Sequence, residues 1–110
     1  MSAWGSEPWE SDAAADWFGH LMEQTDLPLH IDAALNLEPS EWPEEIRAAA
    51  FVLGVFGRNF IYPLDQLDGH LKLAIQKLRA IKSLPQFAGQ PEFQRAIDAQ
   101  IATLESNGKT

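Results

Sequence analysis

The chain has 110 residues, 45% of them hydrophobic and 22% charged, and its formal net charge at pH 7 is −8. This length and composition predict one folded domain over residues 1–110 and exclude a disordered chain. Since the chain has no cysteine, disulfides, thiolate metal sites and cysteine nucleophiles are excluded.

The first ten residues, MSAWGSEPWE, are rich in Gly, Pro, Ser and Trp, which predicts irregular structure. Burying Trp4 and Trp9 is worth on the order of 2–3 kcal/mol each, so we expect an ordered arm held against a helical body. The body is predicted over residues 11–106, with residues 107–110 as a tail. The arm lacks Lys, Arg and the apolar region of a secretory signal, which predicts a cytoplasmic protein.

A first helix is predicted from Ser11 or Asp12 to about Thr25, because Ser and Asp cap helix N-termini. Asp12 and Asp16 lie near the positive end of its dipole. Residues at helical spacing form an inward stripe of Ala14, Trp17, Phe18 and Leu21.

The opening residues resemble those of a bacterial family of small proteins catalogued as a domain of unknown function, number four-two-five-nine. Its members begin with Trp-Gly, then Pro-Phe, then an Asp-Asp-Ala-x-x-Asp-aromatic helix start. The match covers residues 4–17, with departures at Ser6-Glu7 for Thr-Gly, Trp9 for Phe and Ser11 for the first Asp. The resemblance implies a compact helical domain and supplies no activity. A site shared with that family would contain Trp4, Trp9, Asp12 and Asp16.

A short second helix is predicted around Pro28, with Pro39 ending it and Ile31, Ala34 and Leu35 facing inward. A third helix begins at Ser40 or Glu41 and ends near Arg58. Residues 48–57 contain no charge, proline or strongly polar side chain, and a helix that is apolar on every side has to be buried on every side. We therefore expect the third helix to be central and sheathed by the others.

The same run of residues 48–57 has half the length of the ~20 residues that cross a bilayer, so it predicts no membrane span. Glycine costs ~1 kcal/mol against alanine inside a helix. We interpret Gly54 and Gly57 as positions where a neighbouring helix or Trp approaches closely.

The fourth and fifth helices are predicted over residues 65–84 and 92–106, each with one apolar stripe. No stretch alternates as a strand would. The chain is thus predicted to be all-α, a compact bundle of about five helices around a buried central helix with an irregular N-terminal arm. The stripes are Leu67, Leu71, Ala74, Leu78 and Ile81 in the fourth helix, and Phe93, Ile97, Ile101 and Leu104 in the fifth.

Four polar residues share one face of the first helix at steps of four, four and three: Asp12, Asp16, His20 and Glu23. Such donors could bind a divalent cation or act as acid and base, with help from His30, Asp32 or His70. A solvated helix face explains them more simply, because a metal site normally draws ligands from a second element. We predict no catalytic residue, no cofactor and no metal, and interpret His70 as a packed or bundle-edge residue beside the Leu67–Leu71 stripe.

Charge is divided unevenly along the chain. Residues 1–46 contain eleven acids and no Lys or Arg, whereas residues 47–110 contain all eight basic residues and five acids. The halves either attract each other within the fold, or the acidic part faces a basic partner. We expect the basic residues of the fourth helix to face those acids or water. Repulsion between phosphate and a chain of net charge −8 argues against binding nucleic acid.

Trp17 and Trp42 are interpreted as core residues, whereas aromatic anchors beside charge are typical of interfaces. The predicted interaction surface is Trp4, Trp9, Glu7, Glu10, Asp12 and Asp16. Three hypotheses for function remain open. The first is a non-enzymatic acidic module that binds a basic protein, as an inhibitor, immunity-type protein or adaptor does. The others are a metal-dependent enzyme or ligand binder using the α-helical acidic face, and a structural subunit that self-associates through the Trp arm.

Overall fold

The protein is described by a computed structural model that covers residues 5–59 and 61–108. These residues form five α-helices, a single 3-10 turn at Pro85–Phe87 and no β-strand, so the all-α prediction is confirmed. No helix in this part of the chain combines the length and the apolar character needed to span a membrane. The helices are α1 (Asp12–Thr25), α2 (Leu27–Leu35), α3 (Pro43–Phe56), α4 (Leu64–Lys82) and α5 (Pro91–Asn107).

The hydrophobic core lies between α2, α3, α4 and α5, which pack on one another. The predicted stripe of α4 is buried along its whole length, from Leu67 to Ile81. The predicted stripe of α5 is also buried except for Phe93, which is half-buried and stacks on Phe87 with 4.1 Å between ring centroids. The 3.6-residue period therefore located the inward faces of both helices correctly.

The α3 helix is central but not buried on every side, so that prediction is wrong. Ile46, Ala50 and Leu53 are buried, whereas Phe51 is 65% exposed and Val55 48% exposed on the opposite side. α3 packs on α2, α4 and α5, whereas α1 packs mainly on α2. The side of α3 that carries Phe51 and Val55 stays in contact with water.

Two tryptophans that the sequence assigns to the core are exposed in the structure. Trp17 is 60% exposed and Trp42 is 46% exposed, so both predictions are wrong. α1 turns Met22 into the core and keeps Phe18 and Leu21 half-buried, which places Trp17 on its outer side. Since α1 covers one neighbouring helix rather than several, its apolar stripe is wider than the surface that it buries.

The helix ends follow from local chemistry. Ser11 caps α1, where its hydroxyl accepts a hydrogen bond from the Ala14 N–H at 3.1 Å. Asp26 ends α1 and begins α2 in a left-handed conformation, with φ of 52°. α3 begins at Pro43, later than predicted, because the Trp42 N–H bonds the Glu38 carbonyl in a turn before the helix.

Gly54 and Gly57 were both predicted to lie where a neighbouring helix or Trp approaches, and the structure contradicts this for Gly57 alone. A side chain at Gly57, just past the helix, would collide with the Leu53 carbonyl, which belongs to the same helix and not to a neighbour. At Gly54 a Cβ atom would lie 3.5 Å from Thr103 Cγ2, an ordinary contact distance. Close approach of another helix therefore does not account for Gly57.

Candidate functional site

A concave groove lies between α1, α2 and the start of α4. It has a volume of about 930 Å³. We call it the acidic groove, because four carboxylates and no Lys or Arg line it. The carboxylates are Glu23, Asp26, Asp32 and Asp65.

Three chain segments place the walls of the acidic groove. The left-handed backbone of Asp26 lets α2 begin directly after α1, so the two helices form adjacent walls. Residues 61–63 form the floor, held by a turn in which the N–H groups of Ile61 and Tyr62 bond the Arg58 carbonyl. α4 then begins at Leu64, which brings Asp65 to the rim.

The acidic groove also exposes large apolar side chains. Leu29 from α2 is 64% exposed and Leu64 from α4 is 62% exposed, and both line the groove. Met22, Pro28 and Ile61 are buried beneath them. The surface thus combines negative charge with apolar area that contact with a ligand would remove from water.

A buried hydrogen-bonded chain of three side chains lies in the wall of the groove. The Tyr62 hydroxyl is 2.8 Å from His70 Nδ1, and His70 Nε2 is 3.2 Å from Asp32 Oδ1. Tyr62 is 2% exposed and His70 is 7% exposed, whereas the Asp32 side chain is half exposed to the groove. These three hydrogen-bonded side chains connect α2, the residues before α4, and α4 itself.

The pattern of donors follows from the carboxylate at one end. An ionised Asp32 only accepts hydrogen bonds, so His70 Nε2–H is the donor, and neutral His70 accepts from the Tyr62 hydroxyl at Nδ1. Burial, and secondly the Asp32 charge, raise the pKa of Tyr62 well above its ordinary value. Tyr62 is therefore held as a neutral phenol whose O–H group donates a hydrogen bond to His70 Nδ1.

This chain of side chains is better suited to joining helices than to acting on a substrate. Both ring nitrogens of His70 are already within hydrogen-bond distance of a partner, and the Tyr62 hydroxyl is shielded by the fold. Of the two positions predicted for His70, packed or at the edge of the bundle, the structure shows the packed one. Its partners were not predicted, because Tyr62 lies eight residues before it and Asp32 lies 38 residues before it.

The raised pKa of Tyr62 predicts an alkaline loss of stability. Tyr62 is the only tyrosine of the chain, so the ultraviolet absorbance of tyrosinate reports on it alone. We expect it to titrate above about 10 in the folded protein and near 10 in denaturant. Because the folded state holds this proton more tightly, the free energy of unfolding should fall above about pH 10, by up to about 1.4 kcal/mol per pH unit.

The matched control for this titration is Tyr62→Phe, which should remove the contribution of the phenol to the alkaline slope. Any loss of stability that remains in this variant has a source other than the Tyr62 phenol. Equal titration midpoints for Tyr62 in folded and denatured protein would contradict the buried position of its hydroxyl.

The polar face predicted on α1 does not assemble into a site of its own. Asp12, Asp16, His20 and Glu23 are all exposed, and only Glu23 reaches the acidic groove. Across residues 5–59 and 61–108, no three His, Asp or Glu side chains come together in an arrangement that could hold a metal ion.

The predicted interaction surface at the N-terminus is only partly described. Trp4 lies outside the described residues. Trp9 is half-buried against the core, and the Arg58 guanidinium lies 5.3 Å from the centre of its ring. Glu7 is exposed and Glu10 is half-buried. Part of the Trp9 ring is thus already used by contacts within the chain.

Of the two surroundings predicted for the basic residues of α4, the acids of residues 1–46 or water, Lys72 and Arg79 have the second, with side chains 78% and 62% exposed. Three ion pairs remain within residues 64–107: Lys72 with Asp68, Arg79 with Glu105, and Lys82 with Asp98. Lys77 donates instead to the Leu37 carbonyl, at 2.9 Å. Asp12 aside, the described acids of the first half therefore form no close ion pair with the described Lys and Arg residues.

Comparison of the chain with protein-family models, with curated proteins and with solved structures finds no match. The resemblance of residues 4–17 to the small bacterial family therefore stays a prediction. The geometry of the acidic groove is what carries the interpretation of function.

Proposed function

We propose that this protein is a non-enzymatic binding module whose acidic groove receives a basic segment of a partner protein. The classes of protein that this proposal includes are an inhibitor, an immunity-type protein and an adaptor. The observation that carries the proposal is the lining of the groove, which combines four carboxylates with exposed leucines and contains no Lys or Arg.

The charge of the groove supports a cationic ligand. Lys72, Arg79 and Lys82 of α4 pair with acids of α4 and α5, and no described Lys or Arg forms an ion pair with a carboxylate of the groove. Carboxylates that converge in a concavity concentrate a field that attracts Lys and Arg and accelerates association. This field weakens as salt shortens the range of the interaction.

The apolar part of the groove supports a ligand that also carries hydrophobic side chains. Leu29 and Leu64 expose most of their surface, and covering apolar area gains roughly 25 cal/mol per Å² before the costs of association. A segment in which Lys or Arg alternates with Leu or Ile satisfies both features. A basic segment without hydrophobic side chains would match the charge of the groove but not its apolar area.

The two other hypotheses have less support from the geometry. A catalytic role for His70 would require one of its ring nitrogens to leave Tyr62 or Asp32. A metal-dependent role for the α1 face would need a second element to approach Asp16 and His20, which are exposed. Self-association through the arm would have to rely on Trp4, together with the part of Trp9 not covered by the core.

The proposal is tested with two labelled peptides, one alternating Lys with Leu and one in which Glu replaces every Lys. We expect the basic peptide alone to bind, measured by fluorescence anisotropy, and to bind at least tenfold more weakly in roughly 500 mM salt than in roughly 50 mM salt. The double variant Glu23→Lys/Asp65→Lys should lose about tenfold or more in affinity, because it reverses two groove carboxylates.

The matched control is Glu41→Lys/Glu92→Lys, which changes the net charge equally at residues that do not line the groove. This control should lose less than about threefold. Equal losses in the two double variants would mean that the peptide senses overall charge, and the groove would then have no special role.

A further inference from the structure

The uncovered side of α3 carries a regular row of apolar residues. Ala48, Phe51 and Val55 recur at steps of three and four, on the side opposite the buried residues Ala50 and Leu53. Phe51 and Val55 are 65% and 48% exposed. We call Ala48, Phe51 and Val55 the α3 outer face.

Opposite charges stand at the two ends of this row. Glu44 lies in the first turn of α3, seven residues before Phe51, and Arg58 follows the helix, seven residues after Phe51. Both residues are exposed, and neither forms an ion pair within residues 5–59 and 61–108. The Trp9 ring lies beside the Arg58 guanidinium and supports it at the surface.

This arrangement is complementary to itself under a two-fold rotation. If two copies of α3 cross antiparallel with their Phe51 rings at the axis, Glu44 of each copy faces Arg58 of the other. Ala48 of each copy then faces Val55, a small residue against a larger one. A parallel crossing would instead oppose Glu44 to Glu44 and Arg58 to Arg58, which is repulsive.

We propose that the α3 outer face joins two copies of this chain in an antiparallel two-fold dimer. Isologous pairing of one patch with itself is the commonest form of oligomer, and packed helices approach to 8–10 Å. No residue of α3 lines the acidic groove, so both grooves stay open in the dimer. Such a dimer would present two grooves to one partner, which raises its overall avidity.

Sedimentation equilibrium of the full chain at low salt tests the proposal. The parent protein should approach a dimer as its concentration rises, and Phe51→Glu should weaken association by at least about tenfold, since it places two like charges at the axis. Leu29→Glu is the matched control, because Leu29 is equally exposed but lies in the groove. It should associate like the parent.

Two charge variants test the antiparallel arrangement. Glu44→Arg carries Arg at both ends of the row and Arg58→Glu carries Glu at both ends, so each alone should associate about tenfold more weakly than the parent. An equal mixture of the two variants should regain dimers, because opposite charges then meet. This recovery cannot come from a variant that fails to fold.

The proposal is overturned if the parent stays monomeric at the highest concentration reached, or if Phe51→Glu associates like the parent. It is also overturned if the single charge variants associate as tightly as the parent, or if their mixture gains nothing. Loss of the dimer in Leu29→Glu would mean that the interface lies in the acidic groove, and it would also overturn the proposal. Because peptide binding and self-association are measured on different faces, failure of one proposal leaves the other standing.

Discussion

Leu53→Ala is expected to lower the free energy of unfolding by about 2–5 kcal/mol, the cost of removing a fully buried leucine and leaving a cavity. Leu53 is 0% exposed at the centre of the core, between α3 and the helices that cover it. Phe51→Ala, two residues earlier, should cost less than about 1 kcal/mol in the monomer, because most of the ring is in water. Truncating the smaller, buried leucine should thus cost more stability than truncating the larger, exposed phenylalanine.

Urea unfolding measured by circular dichroism, at a concentration low enough to keep the chain monomeric, checks this difference. The midpoint should shift strongly for Leu53→Ala and little for Phe51→Ala, with similar slopes. If α3 were buried on every side, Phe51→Ala would cost about 3–5 kcal/mol, as large aromatic truncations in cores do. A loss of that size would contradict the one-sided burial of α3.

His70→Ala is expected to lower the free energy of unfolding by about 3–5 kcal/mol, combining a cavity with an unsatisfied hydroxyl. The substitution leaves the Tyr62 hydroxyl, 2% exposed, without its 2.8 Å partner. His30→Ala is the control, since His30 is exposed on α2 and should be nearly neutral.

A double-mutant cycle separates the two parts of the His70 effect. With Tyr62→Phe there is no hydroxyl to satisfy, so His70→Ala should cost about 1–2 kcal/mol less in that background than in the parent. The four proteins are the parent, the two single variants and the double variant. Their free energies of unfolding, measured by heat or urea, give the coupling free energy between Tyr62 and His70. Additive losses would mean that the hydrogen bond between Tyr62 and His70 contributes nothing measurable to stability.

The helices and most of the core could be predicted because they depend on local periodicity. The stripe that includes Leu71 and Leu78 repeats at the period of a helix, and such a stripe is buried whenever a neighbour is present. Periodicity could not distinguish the buried side of α3 from its exposed side. Phe51 and Leu53 are both apolar, and only the position of α1 decides that one of them is left uncovered.

The candidate site depends on contacts that no local pattern contains. The excess of acids in residues 1–46 was visible in the sequence, and it indicated an acidic surface without giving its shape. The acidic groove needs Glu23, Asp32 and Asp65 from three separate helices, so it exists only after the helices pack. The partners of His70 come from distant positions for the same reason.

The backbone at Asp26 has a consequence for how the acidic groove accommodates a ligand. A single left-handed residue joins the two helices that form adjacent walls, and α1 rests chiefly on α2. A rotation about the torsions of this residue would change the angle between the two walls and would also draw Met22, which α1 buries, out of the core. The width of the cleft is therefore set by the same contact that completes the hydrophobic interior.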